Sequence, residues 1–295
     1  EKSQSMLRFA RKIPITQTLT AVILGIGVIV VLFPVIWMIF GSMRSIPETF
    51  GTPPSWFPKE FKWDAYLKLI GDPTDSNMFG RSGGKQLRYQ MNTYIIALST
   101  AFVSISLGSL AAYGFSRFRI RGAGTILLAI MALQMLPGVS LIIPFYNLAN
   151  WAGIFDTYTA VIIADTVFAL PIAIWMLKSY VDSIPVDLEE AAMVDGANRL
   201  QALFKVVMPL MLPGLVGTAT FAFLYGWNDF VFASILTDGP DLAPVTVAIA
   251  NFFTQTGRDW QGIMALNTIA TLPLFVIFVF LQRYVIQGMT AGAVK

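Results

Sequence analysis

The sequence contains no cysteine and no histidine. Their absence excludes thiol catalysis, disulfide staples, cysteine zinc clusters, histidine-ligated haem and any Ser-His-Asp triad. Charge is scarce as well. Asp, Glu, Lys and Arg make up 13% of the 295 residues, against about 25% in ordinary soluble domains. A chain with so few charges cannot cover a water-facing surface, so lipid must cover part of it. What fills the gap is apolar: 56% of residues are hydrophobic and the mean hydropathy is +0.67. Disordered chains are poor in such residues, so disorder is excluded too. The composition describes an integral membrane protein that does no covalent chemistry. The net charge of +3 is not gathered into a basic stripe with stacking aromatics, so no nucleic-acid partner is expected.

Six runs are long enough to cross a bilayer, which takes about 20 helical residues. They cover residues 15–40, 93–115, 125–147, 157–177, 210–232 and 263–284. The third, fourth and sixth contain Pro137, Pro144, Pro171 and Pro273, which membrane helices tolerate when neighbours re-satisfy the freed carbonyls. The first run is too long for a secretory signal and lacks a small-residue cleavage pattern, so it is expected to stay as a span. The expectation is an all-α membrane protein of six transmembrane helices. No internal repeat is evident.

Lys and Arg in the flanks set the orientation. Lys2, Arg8, Arg11, Lys12, Arg117, Arg119, Arg121, Lys178, Arg199, Lys205, Arg283 and Lys295 fall on one side of a six-span layout, twelve of the twenty basic residues. The first connection carries seven more, but it is long and counts little in the rule. Both termini are therefore expected in the cytoplasm. Three regions follow: a tail and first helix (1–40), an outer loop (41–92), and a core of five spans (93–295). The outer loop holds Pro47, Pro53, Pro54 and Pro58 among Trp56, Phe57, Phe61, Trp63 and Tyr66. Such a segment suits a cap in the membrane interface, where Trp and Tyr settle, or a docking surface for an external partner.

The fourth connection, 179–209, is far longer than a joint needs. Pro185 precedes Asp187, Glu189 and Glu190, a helix start whose dipole favours anions. Gly196 interrupts the pattern, and Leu200, Leu203, Phe204 and Val207 resume it towards Pro209. The reading is a short helix, a glycine bend and a second amphipathic helix. The first of these helices has acids and no base, so an anionic leaflet would repel it. A protein partner fits better.

These residues carry a family resemblance. Glu190-Ala191-Ala192, then Asp195-Gly196-Ala197, then Val206 and Pro209, resemble the EAA motif of permease subunits in binding-protein-dependent ABC importers. The stretches 136–163 (LPGVSLIIPFYNLANWAGIFDTYTAVII), 226–233 (GWNDFVFA) and 282–295 (QRYVIQGMTAGAVK) are similar to its MalG-like, carbohydrate-importing branch. The resemblance implies the ABC type I importer permease fold, with a coupling helix between spans 4 and 5 and a site in a bacterial or archaeal plasma membrane. It implies four kinds of partner: a second, related permease, two copies of a cytoplasmic ATPase, an extracytoplasmic sugar-binding protein, and lipid. ATP and Mg would be bound by that ATPase, with no cofactor in this chain. In agreement, no phosphate loop is present, since Gly83-Gly84-Lys85 lacks the upstream Gly and is followed by Gln86. Glu190, Ala191, Ala192, Asp195, Gly196, Ala197 and Pro209 would form the contact with the ATPase. Within the tail, 285–295, Gly288, Thr290 and Gly292 would touch the ATPase pair.

Polar groups at membrane depth point to a path, being costly against lipid. Asp165 lies roughly 12 Å inside the outer end of the fourth span. Gln134, Tyr225, Trp227, Asn228, Asp229 and Asn267 complete a set that runs from the midplane outward. Hydroxyl-binding and aromatic groups together suit a sugar, and a di- or oligosaccharide is the expected cargo. Helix-to-helix hydrogen bonding is the plainer role, worth about 0.6 kcal/mol per bond. Asp165, ionisable in mid-span, points to the path. The resemblance implies a structural or gating role for Asn228 and Asp229 in its WNDF pattern, and Gln134 and Asn267 fit either the path or such bonding. The alternative from another class is an ion-coupled secondary transporter centred on Asp165. A membrane enzyme, which would need convergent acids and bases, is the weakest reading.

Overall fold

A computed structural model describes residues 15–53, 55–71, 85–250, 253–254 and 257–291. The chain opens with α1 (Ile15–Ser42), followed by a short α2 (Ile46–Thr49) and α3 (Asp64–Ile70) in the outer loop. Then come α4 (Gln86–Arg117), α5 (Ala123–Ala132), α6 (Ile142–Trp151) and α7 (Tyr158–Ser183). The fourth connection supplies α8 (Val186–Val194), α9 (Arg199–Ala202) and α10 (Met208–Leu210). The remainder is α11 (Leu212–Asn228), α12 (Val231–Leu236), α13 (Val245–Ala250), a two-residue hairpin pair (Phe253–Thr254 with Gly257–Arg258) and α14 (Trp260–Ala291). Among the described residues four helices are long and apolar enough to cross a membrane, or six if each of two bent pairs is one span.

The bent pairs correct two of the expected spans. The run at 125–147 is not one helix: the halves Ala123–Met135 and Gly138–Trp151 meet at 92°. Leu136, forced out of the helical region by the following Pro137, is extended (ψ 128°). Each half is about 20 Å long, short of the hydrocarbon thickness. The run at 210–232 is broken at both ends. Met211 bends the chain by 81° ahead of Pro213, and Asp229 (ψ 127°) stops α11 at Asn228. α4 starts at Gln86, before the expected Thr93, because Gln86, Gln90, Asn92 and Thr93 are buried against the outer segments rather than left in a loop.

The centre is α4 packed along α7, with α11 against both, while α1 lies on α14. α4 offers α7 and α11 a seam of small side chains at Ala97, Ala101, Ser104, Gly108 and Ala112. A Cβ at Gly108 would sit 3.3 Å from that of Ala173. Small residues let membrane helices approach until van der Waals packing holds them. One end of the bundle is closed by Ala112, Tyr113, Leu177, Val181, Ile184, Leu203, Val207 and Met211; this is the end that carries the folded fourth connection, 179–209, hereafter the knob. The opposite, cap end is closed by Ala65, Leu69, Tyr89, Val245 and Leu266. Residues 19–36 of α1 are all exposed, which only lipid or another apolar chain can accommodate.

Candidate functional site

The knob is built by local signals. Pro185, extended at ψ 132°, leads into α8. At its far end Gly196 takes φ +91°, and the Ala197 N–H donates to the Ala192 carbonyl at 3.0 Å, which closes the helix in the manner of a Schellman turn. Asn198 then caps α9 reciprocally: its Oδ1 accepts from Gln201 N at 2.9 Å, and Gln201 Oε1 accepts from Asn198 N at 2.8 Å. A π-helical turn, Leu203–Val207, joins α9 to α10 just before Pro209. Such widened turns free backbone carbonyls and tend to mark functional sites.

The inner face of the knob is tied down by a buried charge cluster. Glu189 Oε1 accepts from Arg117 Nε at 2.5 Å, and its Oε2 from the Tyr113 hydroxyl at 2.9 Å. Arg117 also donates to the Ile184 carbonyl at 2.8 Å. The two charged side chains are only 7% and 3% exposed. The outer face is unfinished. Glu190, Ala191, Asp195, Gly196 and Pro209 are exposed, with Ala192 and Ala197 partly so. Around them Val194, Leu200 and Phe204 are 87%, 61% and 56% exposed, a cluster of apolar side chains next to acids that marks a docking surface. The sequence pointed to Glu190 but not to the Glu189–Arg117 pair, whose partners lie 72 residues apart. Tyr113 and Arg117, four apart on α4, were the one local hint.

At membrane depth the expected path residues divide. Asp165 is fully buried, and its carboxyl has no hydrogen-bond partner among the described residues. Tyr225 and Asp229 come near enough to act on it electrostatically. Tyr225 stacks on Phe168, 6.2 Å between centroids, and Gln134 donates from its Nε2 to the Phe168 carbonyl at 2.5 Å. These four residues therefore gather around one turn of α7, just before Pro171. Trp227 goes elsewhere, buried against Tyr94 and Phe223. Asn228 and Asn267 spend their amides on Leu224 and Ile263 of their own helices.

Asp229 has a structural task as well. Its carboxylate accepts from Phe232 N at 3.2 Å and Ala233 N at 2.8 Å, capping α12. Asp229→Ala should lower stability by about 1 kcal/mol, whereas Asp229→Asn should lose less because it keeps an acceptor oxygen. Thermal unfolding of the detergent-solubilised protein measures both.

In the outer loop, Glu48 accepts from the Ser45 and Lys59 backbone N–H groups. The Ser45 bond holds its carboxyl below the usual carboxylate range. Arg44 lies over the Trp37 ring at 4.2 Å and donates to the Trp56 carbonyl at 2.7 Å. No cluster of metal-ligating side chains occurs among the described residues. Of the tail contacts, Gly288 and Thr290 fall within α14, while Gly292 lies outside the described residues.

Residues 104–291 match the family described as binding-protein-dependent transport system inner membrane component. The trehalose/maltose transport system permease protein MalG of Thermococcus litoralis is 34% identical over 95% of this chain and 98% of its own. The trehalose transport system permease protein SugB of Mycobacterium tuberculosis is 34% identical over 90% and 92%. In fold, the chain is similar to one in the crystal structure of a bacterial ABC transporter that imports the acidic polysaccharide alginate. That match has a TM-score of 0.73 and 23% identity, and covers 94% of this chain and 98% of that one.

Proposed function

Because the chain belongs to the family of binding-protein-dependent transport system inner membrane components, we propose that it is a permease subunit of an ATP-driven sugar importer. It forms half of a translocation path for a di- or oligosaccharide. The observation that carries this reading is the knob: a capped, folded connection whose outer face leaves Val194, Leu200 and Phe204 uncovered beside Glu190 and Asp195. A mere joint between spans would not need it. The sugars named for the MalG and SugB relatives support the cargo class.

In this reading the knob end and both termini face the cytoplasm, following the basic residues, and each bent pair counts as one of six spans. A cytoplasmic ATPase, in two copies and carrying its own ATP and Mg, grips Glu190, Ala191, Ala192, Asp195, Gly196, Ala197 and Pro209. Gly288, Thr290 and Gly292 touch the same ATPase pair. A second, related permease completes the path, and an extracytoplasmic binding protein delivers sugar at the cap end. Asp165, Tyr225, Asp229 and Gln134 are this chain's contribution to the path. The chain sits in the plasma membrane of a bacterium or archaeon.

One observation favours a second reading. The buried, unpartnered carboxyl of Asp165 is what an ion-coupled carrier would place in its pathway. Mass spectrometry of the complex, solubilised gently through a tag on this chain, separates the two. A second multispanning chain and two ATPase copies are expected. This chain alone, moving sugar under an ion gradient, would overturn the importer reading.

A further inference from the structure

α4 differs from the other long helices. α1, α7 and α14 each carry an internal proline, at Pro34, Pro171 and Pro273; α4 has none along its 32 residues. It is a continuous rod of about 48 Å, and both its ends are clamped. At the knob end Arg117 and Tyr113 hold the buried Glu189 of α8, and Arg117 also holds the Ile184 carbonyl. At the cap end Asn92, itself buried, donates to the carbonyls of Asp241 and Ala243 at 3.0 and 2.9 Å and accepts from the Tyr158 hydroxyl at 2.7 Å. Thr93 Oγ1 accepts from Val245 N at 2.9 Å, and Arg88 Nε donates to the Asp241 carbonyl at 3.0 Å.

The chemistry of the clamps matters as much as their number. Helices in lipid slide over one another at little cost where only apolar groups meet. A hydrogen-bonded buried ion pair cannot part without leaving a charge unsolvated. Asn92 likewise has both amide donors and its acceptor engaged. Displacement of α8 must therefore move α4, and displacement of α4 must move the outer segment 241–245.

We propose that α4 is a push-rod that couples the knob to the outer segment 241–245, with Arg117, Glu189 and Asn92 as positioning residues at its two ends. The inference rests on the importer reading for what moves the knob. It adds the route by which that movement reaches the opposite face, and by which an occupied binding protein outside signals inward.

The test uses the purified complex with its ATPase, second permease and sugar-loaded binding protein in vesicles. The readout is the stimulation of ATP turnover by the loaded binding protein. Arg117→Gln and Asn92→Ala should each lower that stimulation by about tenfold, within the range usual for coupling between distant sites, while all subunits still co-purify. Arg117→Lys keeps the charge but not the fork, and should lose less; it serves if the Gln variant fails to assemble. The decisive variant is the double one. A rod released at one end transmits nothing to the other, so each single variant already falls to the residual stimulation that bypasses the rod, and Arg117→Gln/Asn92→Ala falls no further. Unconnected structural defects at this distance would multiply. Multiplied losses, or single variants that respond as the wild type does, overturn the push-rod. A wild-type complex with no response to its binding protein would instead overturn the importer reading, so the two failures are distinct.

Discussion

Gly196→Leu is expected to abolish the proposed sugar uptake, and Gly196→Ala only to weaken it. Gly196 holds φ +91° at the end of α8, and a Cβ there would meet nothing within 4 Å. Within the chain, then, Ala and Leu bear the same cost, the left-handed backbone, of about 1–2 kcal/mol. They differ only in what they present outward. Leu pushes a branched side chain out between Asp195 and Ala197, where the proposed ATPase would dock. A clash there costs about 3 kcal/mol or more, roughly a hundredfold in binding. Uptake of radiolabelled sugar and retention of the ATPase on the tagged complex measure the two variants. Equal losses for Ala and Leu would mean that the glycine serves the bend alone and that the partner docks elsewhere. Glu190→Lys, exposed on the same face, belongs to the same experiment and should also abolish uptake.

Gly226→Leu should prevent the bundle from packing. Gly226 faces α4 so closely that a Cβ would lie 3.1 Å from the Ala97 Cα and 3.3 Å from Thr100. The obstacle is backbone, which cannot swing aside as a flexible side chain can. Overpacking of a dense interior costs about 1–3 kcal/mol when side chains can yield, and a clash with a main chain falls at or above the top of that range. Gly226→Ala should cost about 1 kcal/mol. Size-exclusion profiles and melting temperatures in detergent report both. A Leu variant that melts with the wild type would show that α11 and α4 separate freely.

Much of this was legible in the sequence, for a physical reason. Lipid imposes long apolar runs, so α1, α4, α7 and α14 announce themselves. The short helix and bend of the knob were legible because their signals are local: Pro185 opens the helix and Gly196 turns the chain; the Asn198 cap that follows was not read. The breaks in the third and fifth runs were not legible. Pro171 sits inside a continuous α7 and Pro137 ends a helix, so a proline in an apolar run does not by itself tell a continuous span from a broken one. Buried pairs were hidden for a related reason. Nothing near Glu189 tells it from Glu190, yet one is sealed against Arg117 and the other exposed. The path residues show the same limit. Asn267 and Gln134 looked equally available as polar groups in apolar runs, and Asn228 suited a structural or gating role. Both asparagines are spent on their own helices, and Gln134 on the carbonyl of Phe168.

The π turn at Leu203–Val207 bears on how this chain can vary. An α-helix advances about 100° per residue, so each added or lost residue rotates everything beyond it by that angle. The widened turn is one such step of phase, placed between the knob and α11. Leu203 and Val207, four apart and so on one face, both lie in the closed end of the bundle, while Pro209 stays outside. The join between the knob and α11 is thus set by a count of residues. Surface loops absorb insertions with little effect, whereas here, with α8 anchored to α4 by Glu189 and Arg117, a single residue more or less would rotate Val207 and Met211 out of the closed end of the bundle. The segment 199–210 tolerates changes of composition more readily than changes of length.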